Sequence, residues 1–210
     1  MRIGRSIGYA VAIATLAVGG AAHGLVEQPA RGLGIRLVDA ADASRNKLVL
    51  KLGAFTGYPT CPNTSALIVS SAATNETFTI GLDCARWSPF QIFGPNPRME
   101  VRYHDPTGAT CNRIRLISSP SQTKVKVRAM CRGPQVDYDL GADQQSVVAV
   151  LRISSPSETY RSCATFSEAE GCPVRQDGTN GRYVARECSS TAPCPASPAG
   201  AFLESPMASW

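Results

Sequence analysis

The chain has 210 residues, a net charge of +5 and a hydrophobic content of 43%. This length is sufficient for one globular domain with a buried core. Charged residues make up only 18% of the chain, and the mild positive charge does not favour nucleic-acid binding.

The N-terminus has the pattern of a secretory signal peptide. Arg2 and Arg5 precede an uncharged apolar run from Ile7 to Val18, and small residues follow at 20–22. An uncleaved anchor is the alternative, but the run is short for a membrane span. We predict a signal peptide over residues 1–24, a single β-domain over 25–194 and a flexible Pro-, Ala- and Ser-rich tail over 195–210. The mature chain is expected to be secreted, periplasmic or held at the cell envelope, without a membrane span.

Beyond residue 30, apolar residues recur with a period of two, which predicts strands with one buried face. Turn sequences such as Asp105-Pro106-Thr107-Gly108 and Asp177-Gly178 separate them. The pattern predicts an all-β fold, an antiparallel β-sandwich or barrel with about ten to twelve short strands and up to four disulfides. Residues 23–31 are expected to form a loose leader. The predicted strands are Ile35–Val38, Leu48–Leu52, Ala66–Val69, Phe78–Leu82, Met99–Tyr103, Arg113–Ile117, Lys124–Met130, Val136–Leu140, Val147–Ile153 and Tyr160–Phe166.

Eight cysteines follow the signal segment, and their even number predicts disulfides in an oxidising compartment. No C-x-x-C pair is present and histidine is scarce, so we predict neither a metal site nor a cofactor. Strong turn residues at 177–181 and 118–122 lie between two pairs of cysteines. The favoured pairs are Cys172–Cys188, Cys111–Cys131, Cys61–Cys84 and Cys163–Cys194.

Several short motifs, in a fixed order, resemble a recurring module of secreted bacterial β-proteins. The resemblance covers roughly Gly32 to Pro195 and implies secretion and a β-fold, but carries over no catalytic residues. The chain departs from the module after Phe166, and Cys172 and Cys188 are an addition to it. The motifs are Ile35-Arg-Leu-Val-Asp39, Lys47-Leu-Val-Leu50, Cys84-Ala-Arg-Trp87, Val101-Arg-Tyr-His-Asp105 leading to Cys111, Met130-Cys-Arg-Gly133 leading to Tyr138, Val148-Ala-Val-Leu151 leading to Tyr160, and Cys163-Ala-Thr-Phe166.

Two groups of residues could carry catalysis. His104 is effectively the one imidazole available to a hydrolase, but no G-x-S-x-G motif accompanies it, which favours a surface histidine. Asp137 and Asp139 would share one face of a strand, as an acid/base pair can. A hairpin at 132–134 would instead place them beside Lys126 and Arg128 as a ladder of opposite charges, and this is the favoured interpretation.

A basic stripe alternates with apolar residues on two predicted strands and is the candidate binding site. Its members are Arg113, Arg115, Lys124, Lys126 and Arg128. The favoured interpretation is the solvated side of a half-buried sheet, partly neutralised by the two aspartates. Contact with a polyanion is the alternative, although no interleaved aromatic residues are present to stack on bases. Pairing Cys111 directly opposite Cys131 would also put Arg115 opposite Val127, unless a β-bulge intervenes.

These observations favour a secreted or cell-surface, non-enzymatic binding or structural module whose ligand belongs to the extracellular space or the envelope. The basic stripe would suit an anionic ligand, and nucleic acid is not expected as a partner. The alternatives are a hydrolase of an extracellular polymer, and an inhibitor that holds a rigid loop against a protease. No catalytic residue is assigned.

Overall fold

The computed structural model describes residues 24–55, 64–71, 73–92, 98–108, 111–118, 124–155 and 158–195. Residues 1–23 and 196–210, which hold nearly all of the predicted signal peptide and tail, lie outside this part. Within it, no helix is long and apolar enough to cross a bilayer. Its helical segments are two 3₁₀ turns, Ala43–Arg45 and Cys84–Arg86.

The described residues form thirteen strands in two sheets. The smaller sheet has the order β1-β11-β10-β4-β5, and the larger has the order β12-β13-β2-β3-β9-β8-β7-β6. The strands are β1 (Gly24–Pro29), β2 (Gly32–Val38), β3 (Lys47–Phe55), β4 (Thr64–Ser70), β5 (Thr77–Leu82), β6 (Trp87–Ile92), β7 (Arg98–His104), β8 (Arg113–Ser118), β9 (Val125–Arg132), β10 (Ser146–Ser154), β11 (Glu158–Ser167), β12 (Val174–Asp177) and β13 (Arg182–Arg186).

The two sheets pack face to face, which confirms the predicted all-β, sandwich-like architecture. Period-two alternation turns one side of each sheet inward, so Leu48, Leu50 and Leu52 of β3 are fully buried while the residues between them are not. Polar atoms also join the sheets. The Tyr183 hydroxyl of the larger sheet donates a hydrogen bond to the Phe166 carbonyl of the smaller sheet over 2.7 Å.

The N-terminal segment is a strand, so the expectation of a loose leader is wrong. Gly24–Pro29 pairs in parallel with β11, and the backbone N–H of Ala30 continues the ladder by donating to the Cys163 carbonyl over 2.8 Å. Gln28 and Ala30 are buried. The segment lacks the strong alternation of the other strands, because an edge strand gains much of its stability from backbone hydrogen bonds to its neighbour.

The predicted strand at Val136–Leu140 has the expected alternating burial but no strand partner. Val136, Tyr138 and Leu140 point into the core, and the Tyr138 ring meets the Phe78 ring edge-on at 5.6 Å. Side chains satisfy the backbone instead of a ladder, since the Asn46 side chain donates to the Val136 carbonyl over 2.9 Å. The period-two pattern correctly predicts that one side of this segment is buried. It does not show whether the segment pairs with another strand.

Three disulfides confirm pairs that the sequence predicts. They are Cys111–Cys131, Cys163–Cys194 and Cys172–Cys188. Cys84 is also disulfide-bonded, and its predicted partner Cys61 lies outside the described residues. Cys172 and Cys188 lie on either side of the β12–β13 hairpin, as the turn sequence predicted.

The Cys163–Cys194 bridge ties the C-terminal segment to β11, and Arg161 reinforces the same attachment. The Arg161 guanidinium is buried and donates both to Glu27 of β1 over 2.6 Å and to the Pro195 carbonyl over 2.9 Å. This cluster therefore fastens the two ends of the described chain to one strand.

We predict that a Cys163→Ser/Cys194→Ser variant will lose roughly 3–4 kcal/mol of unfolding free energy, because the bridge closes a long loop in the unfolded chain. Denaturant titration of the oxidised variant and wild type would measure the loss. A Cys172→Ser/Cys188→Ser variant, with its shorter loop, should lose somewhat less. Equal midpoints for the wild type and the Cys163/Cys194 variant would contradict the prediction.

A candidate anion-binding face

The outer side of the eight-stranded sheet carries basic residues on almost every strand. Since residues alternate between the two sides of a strand, the positions between the buried core residues all point away from the core. We call this side the cationic face. Its basic residues are Arg36, Lys47, Lys51, Arg102, Arg113, Arg115, Lys126, Arg128, Arg132, Arg175, Arg182 and Arg186.

Cross-strand register places several of these cations directly opposite one another. Lys51 of β3 pairs with Arg128 of β9, Arg128 pairs with Arg115 of β8, and Arg115 pairs with Arg102 of β7. In the other direction Lys51 pairs with Gly34, which in turn faces Arg186. We call this line, Arg186–Gly34–Lys51–Arg128–Arg115–Arg102, the central row. Like charges that lie directly opposite one another destabilise a sheet. The cations of the central row therefore do not stabilise this one.

Acidic residues do little to neutralise this face. Among the described strands its carboxylates are Glu100 and Asp177, and exposed Glu187 follows Arg186 directly after β13. Glu100 is buried and bound to Arg102 at 2.9 Å, and Asp177 lies at the far edge opposite Arg182. Within the described residues no ion pair involves Lys51, Arg115 or Arg128.

Two basic groups on this face, those of Lys47 and Arg115, lie in unfavourable surroundings. The pKa of Lys47 is lowered by partial desolvation and by the nearby charges of Arg132 and Arg36. The Nε atom of Arg115 is buried without a hydrogen-bond partner among the described residues. Both groups would gain from an anion placed over the sheet.

The side of the face nearest β13 is grooved. Two open depressions of about 520 and 460 Å³ adjoin there and share Val184, Arg186 and Glu187 in their linings. Gly34 lines the second depression together with Val49, Arg36 and Lys51. Because Gly34 has no side chain, it leaves a gap in the central row between Lys51 and Arg186.

The register resolves the conflict between the basic stripe and the cysteine pair. Arg115 faces Arg128, so the polar sides of β8 and β9 coincide. Cys111 can still bond Cys131, because it lies in the bend before β8 begins and outside the ladder. Its Cα lies 4.0 Å from that of Cys131.

All five residues of the predicted stripe are found on or beside this face. Lys124 is exposed just before β9 begins, Lys126 and Arg128 project from β9, and Arg113 and Arg115 project from β8. Sequence reasoning missed the contributions of β2, β3, β7, β12 and β13. Arg36, Lys51 and Arg102 carried the same signal, a cation between two apolar residues, but nothing local shows that their strands adjoin β8 and β9.

The predicted charge ladder of Asp137 and Asp139 against Lys126 and Arg128 is wrong. β9 is hydrogen-bonded to β3 on one side and β8 on the other, which leaves no edge for residues 136–140. The chain turns away at Gly133, whose φ of +106° suits glycine. The neutralisation expected from these aspartates is therefore missing.

Asp137 and Asp139 also lie in different surroundings. Both are exposed, and Asp139 accepts a hydrogen bond from the Gly141 backbone over 2.7 Å. Asp139 lines an open depression of about 320 Å³ with Asp39 and residues 178–181, and Asp137 does not contribute to that lining. A shared cleft for an acid/base pair is not formed there.

His104 lies at the margin of the cationic face, exposed and opposite Arg113. The neighbouring carboxylate of Asp105 is buried and engaged elsewhere, by an ion pair with Arg86 and by hydrogen bonds from Thr107. Asp105 therefore does not orient the His104 imidazole as a catalytic triad requires.

In the described part of the chain no three His, Cys, Asp or Glu side chains are close enough together to hold a metal ion. Comparison with protein-family models, curated proteins and solved structures found no match. The chemistry of this surface must therefore be inferred from the geometry of its own residues.

We predict that Arg128→Gln will raise the unfolding free energy by about 0.2–1 kcal/mol, because Arg128 faces both Lys51 and Arg115. The gain should shrink at high salt, where like charges are screened. Urea denaturation at low and high salt would measure both effects. Arg31→Gln, an exposed arginine outside the strands, is the control and should change stability little. A clear loss of stability in Arg128→Gln would mean that this cation stabilises the sheet.

Proposed function

We propose that the protein is a secreted or cell-surface, non-enzymatic binding module that holds an anionic polymer on the cationic face. The observation that carries the proposal is the central row, in which Lys51, Arg128 and Arg115 lie directly opposite one another without acidic partners among the described residues. A ligand with several negative groups would relieve the repulsion between these neighbouring cations on each strand that it crosses.

The composition of the face supports a polyanion over a single small anion. Arginine predominates over lysine, and its planar guanidinium binds phosphate, sulfate or carboxylate groups through two parallel hydrogen bonds. The cations are spread over several strands instead of converging on one pocket. Such an array suits a ligand that repeats its charge along its length.

Export to an oxidising compartment is part of the same proposal. Three disulfides among the described residues, with Cys84 bonded as well, are typical of proteins that fold outside the cytosol. The disulfide-braced sandwich would then serve as a rigid support that keeps the row aligned before the ligand arrives, which lowers the entropic cost of binding.

The experiment is binding of the oxidised protein to dextran sulfate, with uncharged dextran as the negative control. We predict that Arg115→Gln/Arg128→Gln will weaken binding roughly tenfold at low salt, by removing two contacts worth about 1.4 kcal/mol together. Fluorescence anisotropy over a range of salt concentrations would measure the affinity and its salt dependence, which should become shallower in the variant.

The matched control is Arg31→Gln/Arg45→Gln, which removes the same net charge from exposed positions off the strands. Because long-range attraction depends on net charge, both variants should lose a little affinity, but only the first should lose the specific contacts. Equal losses in the two variants, or binding of wild type to neutral dextran as tight as to dextran sulfate, would contradict the proposal.

A further inference from the structure

We propose that the anionic polymer is an acidic polysaccharide and that it lies across the strands, along the central row and through the gap at Gly34. This inference rests on the proposed function and specifies the class of ligand and its path. Three features of the face support it, namely the length of the row, its twist and the lining of the groove.

The central row is long enough for a stretch of polymer. It crosses six neighbouring strands, β13, β2, β3, β9, β8 and β7, in five steps. With strands about 4.8 Å apart, the row extends over roughly 24 Å. Every strand in it except β2 contributes a cation, so an extended chain with closely spaced acid groups would meet a positive charge at nearly every step.

The row is also twisted, which disfavours a flat partner such as a membrane surface. Neighbouring strands rotate by about 20–25°, so five steps accumulate roughly 100–125°. A flexible polymer can follow that rotation, whereas a bilayer plane would touch only a few strands at once. Among the residues whose exposure is described, the exposed large apolar side chain is that of Leu25, which lies on β1 of the other sheet and not along the central row.

The groove suits a carbohydrate backbone. Its lining combines small and apolar residues, Gly34, Val49 and Val184, with the cations Arg36, Lys51 and Arg186, and Glu187 beside Arg186 is the one carboxylate among its described residues. A sugar ring presents C–H groups as well as acid groups, so it can contact both valine and arginine. Inorganic polyphosphate has no apolar surface to place there. Single-stranded nucleic acid would need aromatic side chains for base stacking, and neither the central row nor the lining of the groove contains one.

Gly34 provides a precise test. A Cβ atom at this position would lie 3.7 Å from the Ala185 carbonyl oxygen, an ordinary contact distance, so the backbone accepts a residue other than glycine here. Gly34→Glu would fill the gap and place a negative charge within the row. Gly34→Gln has the same size without the charge. Gly81→Glu adds the same charge to the exposed strand β5 of the other sheet, where nothing lies within 4 Å of the new Cβ.

The probes are heparin fragments of increasing length, from the disaccharide upward, with single-stranded DNA and phosphatidylserine vesicles as competing classes. For wild type we expect the affinity to rise with fragment length until the fragment spans about 24 Å and then to level off. Gly34→Glu should weaken the longer fragments about tenfold, Gly34→Gln by a smaller factor, and Gly81→Glu hardly at all. Each variant's melting temperature would be recorded, and Arg186→Gln gives a second test at the same place should Gly34→Glu fail to fold.

Three results would overturn this inference while leaving the proposed function intact. They are equal affinity for the disaccharide and the long fragments, tighter binding to DNA or vesicles than to heparin, and an unchanged affinity in both Gly34→Glu and Arg186→Gln while Arg115→Gln/Arg128→Gln still weakens binding. Absence of binding to dextran sulfate and to every heparin fragment would instead reject the proposed function itself.

Discussion

The burial of one side of the eight-stranded sheet against the smaller sheet is the constraint on which the other features of this protein depend. Leucines, isoleucines and valines occupy alternate positions along β2, β3, β8 and β9, and hydrophobic burial requires all of them to face the second sheet. The positions between them are thereby committed to the opposite side. Because those positions are mostly arginine and lysine, packing the core also assembles the cationic face.

This arrangement trades stability for a concentrated positive surface. Lys51, Arg128 and Arg115 lie opposite one another across β3, β9 and β8, and the pKa of Lys47 is lowered first by desolvation and then by the charges of Arg132 and Arg36. A core that spans both sheets, together with the disulfides, can tolerate such a cost, which amounts to about a kcal/mol or less at each pair. In the proposed function, the anionic ligand would supply the missing counter-charge.

The smaller sheet has a different outer side. Ile68, Val148 and Val150 form a second apolar cluster with Cys163, and Cys194 packs against it. The Cys163–Cys194 bridge and the Arg161 contacts to Glu27 and Pro195 lie on the same sheet. The outer side of the smaller sheet therefore carries an apolar cluster and the attachment of the chain ends, whereas the outer side of the larger sheet carries the exposed cations.

The sequence by itself determined the fold class, most of the strands and the two-sided character of the basic segments, because period-two alternation is a local property of the chain. It also favoured three cysteine pairs that the structure contains: turn sequences lie within the Cys111–Cys131 and Cys172–Cys188 loops, and Cys163–Cys194 was the pair that remained. It misjudged Gly24–Pro29 and Val136–Leu140, where sheet pairing and alternation do not coincide. Only the tertiary structure decided that β3 pairs with β9, which brings Lys51 opposite Arg128, and that β2 pairs with β13, which brings Gly34 opposite Arg186. These neighbours are distant in sequence, and strand pairing depends on backbone hydrogen bonds that every residue can make, so local patterns could not specify which cations would share one row.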